Sequence, residues 1–289
     1  MQSGKGAECY QIGGWLGNCC LAEWRWNWRQ TKRLTPEAVA LAARQPSVAR
    51  RGTSQLGQQG LLDVPAWAGQ PVEAAVDGPE EPRGERLVEL ARGLDDLRFQ
   101  GVALLSNYGD AYLGEPQFAP LLAELDRRGA VAYVHPTVAG CCQNLVRDLA
   151  PAFLELPFDT TRTIASLLYS GTLSKYRRIR WIFAHGGGTL PFLADRLSQW
   201  AKARPDLAAR LPDGPMAELR RLHFDTASVT NAAAVAAIGQ LVPWTQVLFG
   251  TDFPYVHSAA QRAELARSLP ATRDRAAVEY GNAARLLGI

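Results

Sequence analysis

Histidine is scarce in this sequence: four occur in 289 residues, and none precedes His135. Any chemistry that needs imidazole is therefore confined to His135, His185, His223 and His257. Long apolar runs are also missing. The nearest approach, residues 9–22, is short and broken by Gln11, Asn18 and glycines, so neither a membrane span nor a targeting signal is expected. No block of Lys and Arg with interleaved aromatics appears, and 31 basic against 28 acidic residues are spread along the chain, which argues against nucleic acid as a partner. Cysteine is sparse and odd in number, with five residues including the neighbours Cys19–Cys20 and Cys141–Cys142. That pattern is no disulfide framework, and reduced thiols in a cytoplasmic protein are the expectation.

What is present is ordinary globular composition, 47% hydrophobic and 20% charged, on a chain long enough to bury a large core. From about residue 95 onward, short apolar runs alternate with amphipathic stretches. Strands are expected at 101–107, 130–134, 179–184, 222–225 and 247–250. Helices are expected at 116–128, after Asp159 as an N-cap, from Thr189 through Leu197, at 231–241, and twice more up to Leu287. Phe118, Leu121, Leu122 and Leu125 share one helical face, with Gly129 as the stop. Five nearly continuous apolar strands, each followed by a helix, predict a parallel sheet of the α/β class.

Residues 1–94 do not extend this pattern backwards. A complete barrel needs three more strand–helix units, and only fragments such as 61–64 and 72–76 qualify. Trp24, Trp26 and Trp28 could line one strand face, yet the surrounding Cys, Trp and Arg mixture has no period. Two readings stand: a segment from a shifted reading frame, or a divergent barrel start.

The histidines sit where chemistry is expected. His135 closes one strand, His185 the next and Asp225 the one after. Asp252 follows the last strand, with His257 beyond it. In an α/β barrel the C-terminal strand ends form the active-site rim. Imidazole and carboxylate together suit zinc or a similar divalent ion. Each histidine alone reads as a core or surface residue, but two histidines and one Asp at three strand ends point to a shared site. His223 precedes Asp225 by two and reads as a core histidine. Cys141–Cys142 reads as a pair of small apolar side chains in a loop near the rim. The run Gly186–Gly188 either leaves room beside a ligand or makes a tight turn. An esterase oxyanion loop would need a Gly-x-Ser-x-Gly elbow, and neither Ser54 nor Ser170 has that context.

The segments VAYVHPT (131–137), DTTRTIASLLYSGTLSKYRRIRWIFAHGGGTLPFLADRL (159–197), HFDTA (223–227) and VLFGTDFP (247–254) resemble the aminocarboxymuconate-semialdehyde decarboxylase family. The nearest branch is the one that includes 6-methylsalicylate and γ-resorcylate decarboxylases. The likeness spans roughly residues 95–289 and implies a TIM-type (β/α)8 barrel, of which residues 95–289 would supply units four to eight. It implies His135 and Asp252 as metal ligands, His185 as the catalytic histidine, and a zinc ion, with manganese the second candidate. It also implies a small carboxylic acid as substrate and a homodimer. Asp252 would additionally handle the proton that replaces carbon dioxide, and Asp225 would orient His185 or a water. Phe253, Tyr255 and Tyr169 are candidates to flank a flat substrate and equally ordinary core residues, and His257 is either a substrate contact at the rim or a surface histidine. The family's first-strand His-x-His or Glu-x-His pair has no counterpart here. Its early substrate arginine matches none of Arg25, Arg29, Arg33, Arg44, Arg50 or Arg51. Metal binding is accordingly expected to be weak. A metal-dependent hydrolase of the same superfamily and a non-catalytic homologue are the rival expectations.

Overall fold

The computed structural model describes residues 83–142, 145–253 and 255–288. The tryptophan-rich stretch, the fragments 61–64 and 72–76, the early arginines, and Cys9, Cys19 and Cys20 lie outside the described residues. The described chain opens with helix α1 (Arg83–Ala91), whose buried Leu90 joins the main core together with Leu87 and Leu94. Leu87, Leu90 and Leu94, grouped by sequence with the atypical segment, thus pack on the same core as the strands.

Strand β1 (Gly101–Leu105) is followed by a small antiparallel hairpin, β2 (Asn107–Tyr108) and β3 (Ala111–Tyr112). Then come α2 (Ala119–Arg128), β4 (Val131–His135), α3 (Glu155–Tyr169), β5 (Arg180–Phe183) and α4 (Leu190–Ala203). Next are β6 (His223–Asp225), α5 (Ala232–Leu241), β7 (Val247–Leu248), α6 (Ser258–Ser268) and the terminal α7 (Asn282–Leu287). Strands β1, β4, β5, β6 and β7 form one parallel sheet in that order. Sequence neighbours are spatial neighbours and helices make the returns, which gives an arc of a (β/α)8 barrel.

The five expected strands are all found, four of them trimmed at their ends and β4 shifted by one residue to take in His135. β1 stops at Leu105 because Ser106 turns away to bond with α3 and Asn107 opens the hairpin. α2 buries Leu121, Leu122 and Leu125, and Gly129 ends it in the left-handed conformation (φ 60°), where its N–H reaches the Asp126 carbonyl. One expectation is corrected. Asp159 is not an N-cap: α3 starts four residues earlier, at Glu155, and Asp159 is buried inside it.

Side chains alternate along the strands and divide the interior in two. Leu104, Val134, Phe183 and Phe224 face the helices and join one large core, each such burial contributing roughly 1.5–3 kcal/mol. Val131, Ile182 and Leu248 face the other way and pack on Ala283 and Leu286 of α7. The terminal helix therefore covers the lower inner face of the sheet. The upper inner face is left to Tyr133, His135 and Asp225.

Candidate metal centre

Parallel pairing aligns the upper strand ends. Leu105 lies opposite His135, Val134 opposite Phe183, Phe183 opposite Phe224, and Asp225 opposite Leu248. Three side chains at or beyond those ends converge. One ligand atom each from His135, His185 and Asp252 lies within 4.8 Å of the others. Both histidines are buried and Asp252 is half-buried. The imidazoles meet edge to face with ring centres 5.6 Å apart. No other such cluster of His, Cys, Asp and Glu occurs among the described residues.

Each donor is prepared for this role. Burial, followed by the nearby His185, lowers the His135 pKa to about 3, so the ring is neutral at ordinary pH and a cation meets no competing proton. His185 Nδ1 lies 3.0 Å from the Ala227 carbonyl. A carbonyl only accepts, so Nδ1 carries the hydrogen and Nε2 of the neutral ring presents a lone pair. Ser228 Oγ donates to Asp252 Oδ2 at 3.4 Å. His185, Ser228 and Asp252 all hold left-handed backbone (φ 56°, 59° and 61°). Such strain in residues with a side chain persists only where the surroundings enforce it, and it clusters at functional sites.

At His185 the enforcing group is Asp225. Its buried Oδ1 accepts the backbone N–H of His185 (2.8 Å) and of Ala227 (3.0 Å), and its Oδ2 accepts the Tyr133 hydroxyl (2.9 Å). Burial pushes its pKa upward, against the opposing pull of His185 and these three donors. Asp225 thus touches His185 through the main chain, and through Ala227 it sets the carbonyl that fixes the ring. Sequence placed Asp225 near His185 but missed Tyr133. Its spacing of two from His135 on one strand was the available signal.

The remaining expected site residues separate. Phe253 is half-buried beside Asp252, whereas Tyr255 and His257 are exposed on the same loop. Tyr169 lies at the opposite end of α3 and donates to the Leu197 carbonyl, so it does not flank a substrate at the rim. His223 sits lower on β6, half-buried, with Nδ1 3.1 Å from the Trp181 carbonyl. Cys141 and Cys142 are joined as a disulfide, not held as reduced thiols.

The His135 environment has a measurable consequence for the metal-free chain. Its folded pKa of about 3 lies below the unfolded value near 6.5, so unfolding takes up a proton between these limits. Stability is full above about pH 6.5, falls as pH drops below it, and stops falling near pH 3, at up to about 1.4 kcal/mol per pH unit. Urea midpoints from pH 7.5 to 4.5 should fall less steeply in His135→Gln than in the parent. Parallel slopes would show that His135 titrates normally.

The chain as a whole resembles known proteins. A 6-methylsalicylic acid decarboxylase of Aspergillus aculeatus is 37% identical over 173 residues, covering 58% of this chain and 52% of that protein. A 2-amino-3-carboxymuconate-6-semialdehyde decarboxylase of Dictyostelium discoideum is 26% identical over 204 residues, 70% of this chain and 56% of that protein. The chain spans about half the length of these curated relatives. A solved structure described as an amidohydrolase II superposes with a TM-score of 0.65 at 25% identity, covering 74% of this chain and 70% of its own. The family model described as Amidohydrolase matches residues 33–289, and this chain belongs to that family.

Proposed function

We propose that this chain is a metal-dependent, non-oxidative decarboxylase of a hydroxy-aromatic or muconate-type carboxylic acid. The observation that carries the reading is the convergence of His135, His185 and Asp252 on one rim, in a chain whose relatives are named decarboxylases. Those relatives favour carbon–carbon cleavage over the hydrolytic alternative.

The donor set of two imidazoles and a carboxylate fits a divalent ion, zinc first and manganese second. His135 and Asp252 would hold that ion, which supplies Lewis-acid withdrawal of charge from the bound carboxylate. His185, with Nδ1–H committed to Ala227, offers Nε2 for proton transfer at the substrate. The carbon that loses carbon dioxide keeps the bonding pair and gains a proton that originates on the acid substrate or a water, and Asp252, on leaving the ion briefly, is the group proposed to carry it there. Phe253, Tyr255 and His257 follow Asp252 directly and are the candidates to border a flat substrate. A cytoplasmic homodimer goes with this reading. No helix among the described residues is long and apolar enough to cross a membrane.

The test is product analysis with 6-methylsalicylate and related hydroxybenzoates in the presence of Zn²⁺ or Mn²⁺. Carbon dioxide and the corresponding phenol are expected in equal amounts. Conversion of a lactone or amide substrate with no carbon dioxide from any acid would move the chain to the hydrolases.

A further inference from the structure

We infer that Asp159 is a positioning residue for the metal centre: from the helix side of the sheet it holds the His135–Pro136–Thr137 turn in place through Ser106. The inference rests on the metal reading of His135. Asp159 is fully buried on α3, yet its main partners are neither helical nor cationic. Oδ2 accepts from Ser106 Oγ and from Asn107 Nδ2 (2.6 Å), and Oδ1 from the Tyr112 hydroxyl (2.6 Å). Among the described residues the cation paired with it is the Arg162 guanidinium, 3.6 Å from Oδ1. A buried carboxylate is costly unless its oxygens are hydrogen-bonded, and here the donors come from the segment after β1.

That segment is in turn tied to the metal-ligand turn. The Ser106 N–H donates to the His135 carbonyl (2.9 Å), and Ser106 Oγ accepts the Thr137 N–H (3.0 Å). Asn107 Nδ2 also reaches the Thr137 carbonyl (3.1 Å). Both sides of Pro136 are thereby stapled to residues that Asp159 orients. The hydroxyl of Ser106 can accept from Thr137 in this geometry because its own hydrogen is taken by the carboxylate. Thr163, one turn further along α3, donates to the Ser106 carbonyl (2.7 Å) and fixes the same residue from its other end. Strand alternation puts this assembly on the helix side, where Leu104 also points, and His135 on the inner side. Asp159 cannot touch the ion or the substrate, and its effect runs through the backbone of the ligand.

Outer groups of this kind typically govern metal affinity by about 10–100-fold. The experiment uses the full chain and three variants: Asp159→Asn, Ser106→Ala and Tyr112→Phe. Two quantities are read on each, the Mn²⁺ affinity by electron paramagnetic resonance titration and the amide exchange of Thr137. Melting temperature is recorded in parallel. Asp159→Asn and Ser106→Ala are expected to weaken Mn²⁺ binding by about 10–100-fold and to speed Thr137 exchange. Tyr112→Phe loses a bond to the same carboxylate without touching the turn, so it should melt earlier while both other readings stay parental. Mn²⁺ affinity that follows melting temperature across all three variants would mean a merely structural carboxylate and overturn the inference. Parental Thr137 exchange in Asp159→Asn would overturn it as well. A parent that binds no Mn²⁺, with Thr137 exchange still raised in the variants, would instead overturn the metal reading and leave the staple standing.

Discussion

His135→Ala is expected to cost the chain its divalent ion, with Zn²⁺ or Mn²⁺ affinity falling by about a hundredfold or more. The magnitude follows from structural zinc sites, where roughly 10–16 kcal/mol is shared among four ligands, or about 3 kcal/mol each. His185→Ala separates two roles that the geometry allows. The 4.8 Å cluster puts its ring within reach of the same ion as His135 and Asp252. Its Nδ1–H is committed to Ala227 and its backbone is clamped by Asp225, an arrangement that suits an oriented proton carrier. The expected result is therefore metal affinity retained within about tenfold and carbon dioxide release lowered by about 10²–10⁴, the usual range for a lost general acid–base. Calorimetric metal titration and product assay on the same samples decide it, with rates normalised to folded protein. Equal loss of ion in both variants would make His185 a third ligand and remove its separate catalytic role.

The sequence made the strand ends legible because each chemical residue closes an apolar run: His135 after Val131–Val134, His185 after Ile182–Ala184, Asp225 after Phe224. Nothing in those runs shows how the ends are locked. Asp159 looked like a cap because Asp before an apolar helix usually is one. Only the fold reveals that Glu155 begins the helix and that Asp159 faces Ser106, more than fifty residues earlier in the chain. Tyr169 was placed at the rim on residue type alone; its position at the C-terminal end of α3 excludes it. The bond between Cys141 and Cys142 was invisible because an odd cysteine count argues only against a framework of bridges. Left-handed backbone at His185 and Asp252 was equally unreadable; at His185 it goes with a main-chain N–H held by the buried Asp225 carboxylate from the next strand.

The three glycines after His185 are the case where packing decides between two sequence readings. Room for a ligand would require open space at the missing side chains, and the structure offers none. A Cβ at Gly186 would meet Ile238 at 2.8 Å, and one at Gly187 would meet the Phe224 ring at 2.6 Å. At Gly188 it would lie 1.9 Å from the Pro157 carbonyl oxygen and 2.9 Å from Thr161 Oγ1. All three hold positive φ (64°, 76° and 66°), so the run is a tight turn pressed against α3, α5 and β6. Gly188→Ala is therefore expected to combine backbone strain of about 1–3 kcal/mol with a steric clash of similar size. The sum, about 4 kcal/mol, is a large part of the roughly 5–15 kcal/mol that holds a typical domain together. A markedly lower chemical-denaturation midpoint is the expected outcome, since the main-chain oxygen of Pro157 cannot move aside as a flexible side chain could. Gly214→Ala makes the control: it also has positive φ (85°) but nothing lies within 4 Å of its Cβ, so only the strain should register. Equal costs at the two sites would show that the turn can yield, and the space beside His185 would then be open to a ligand after all.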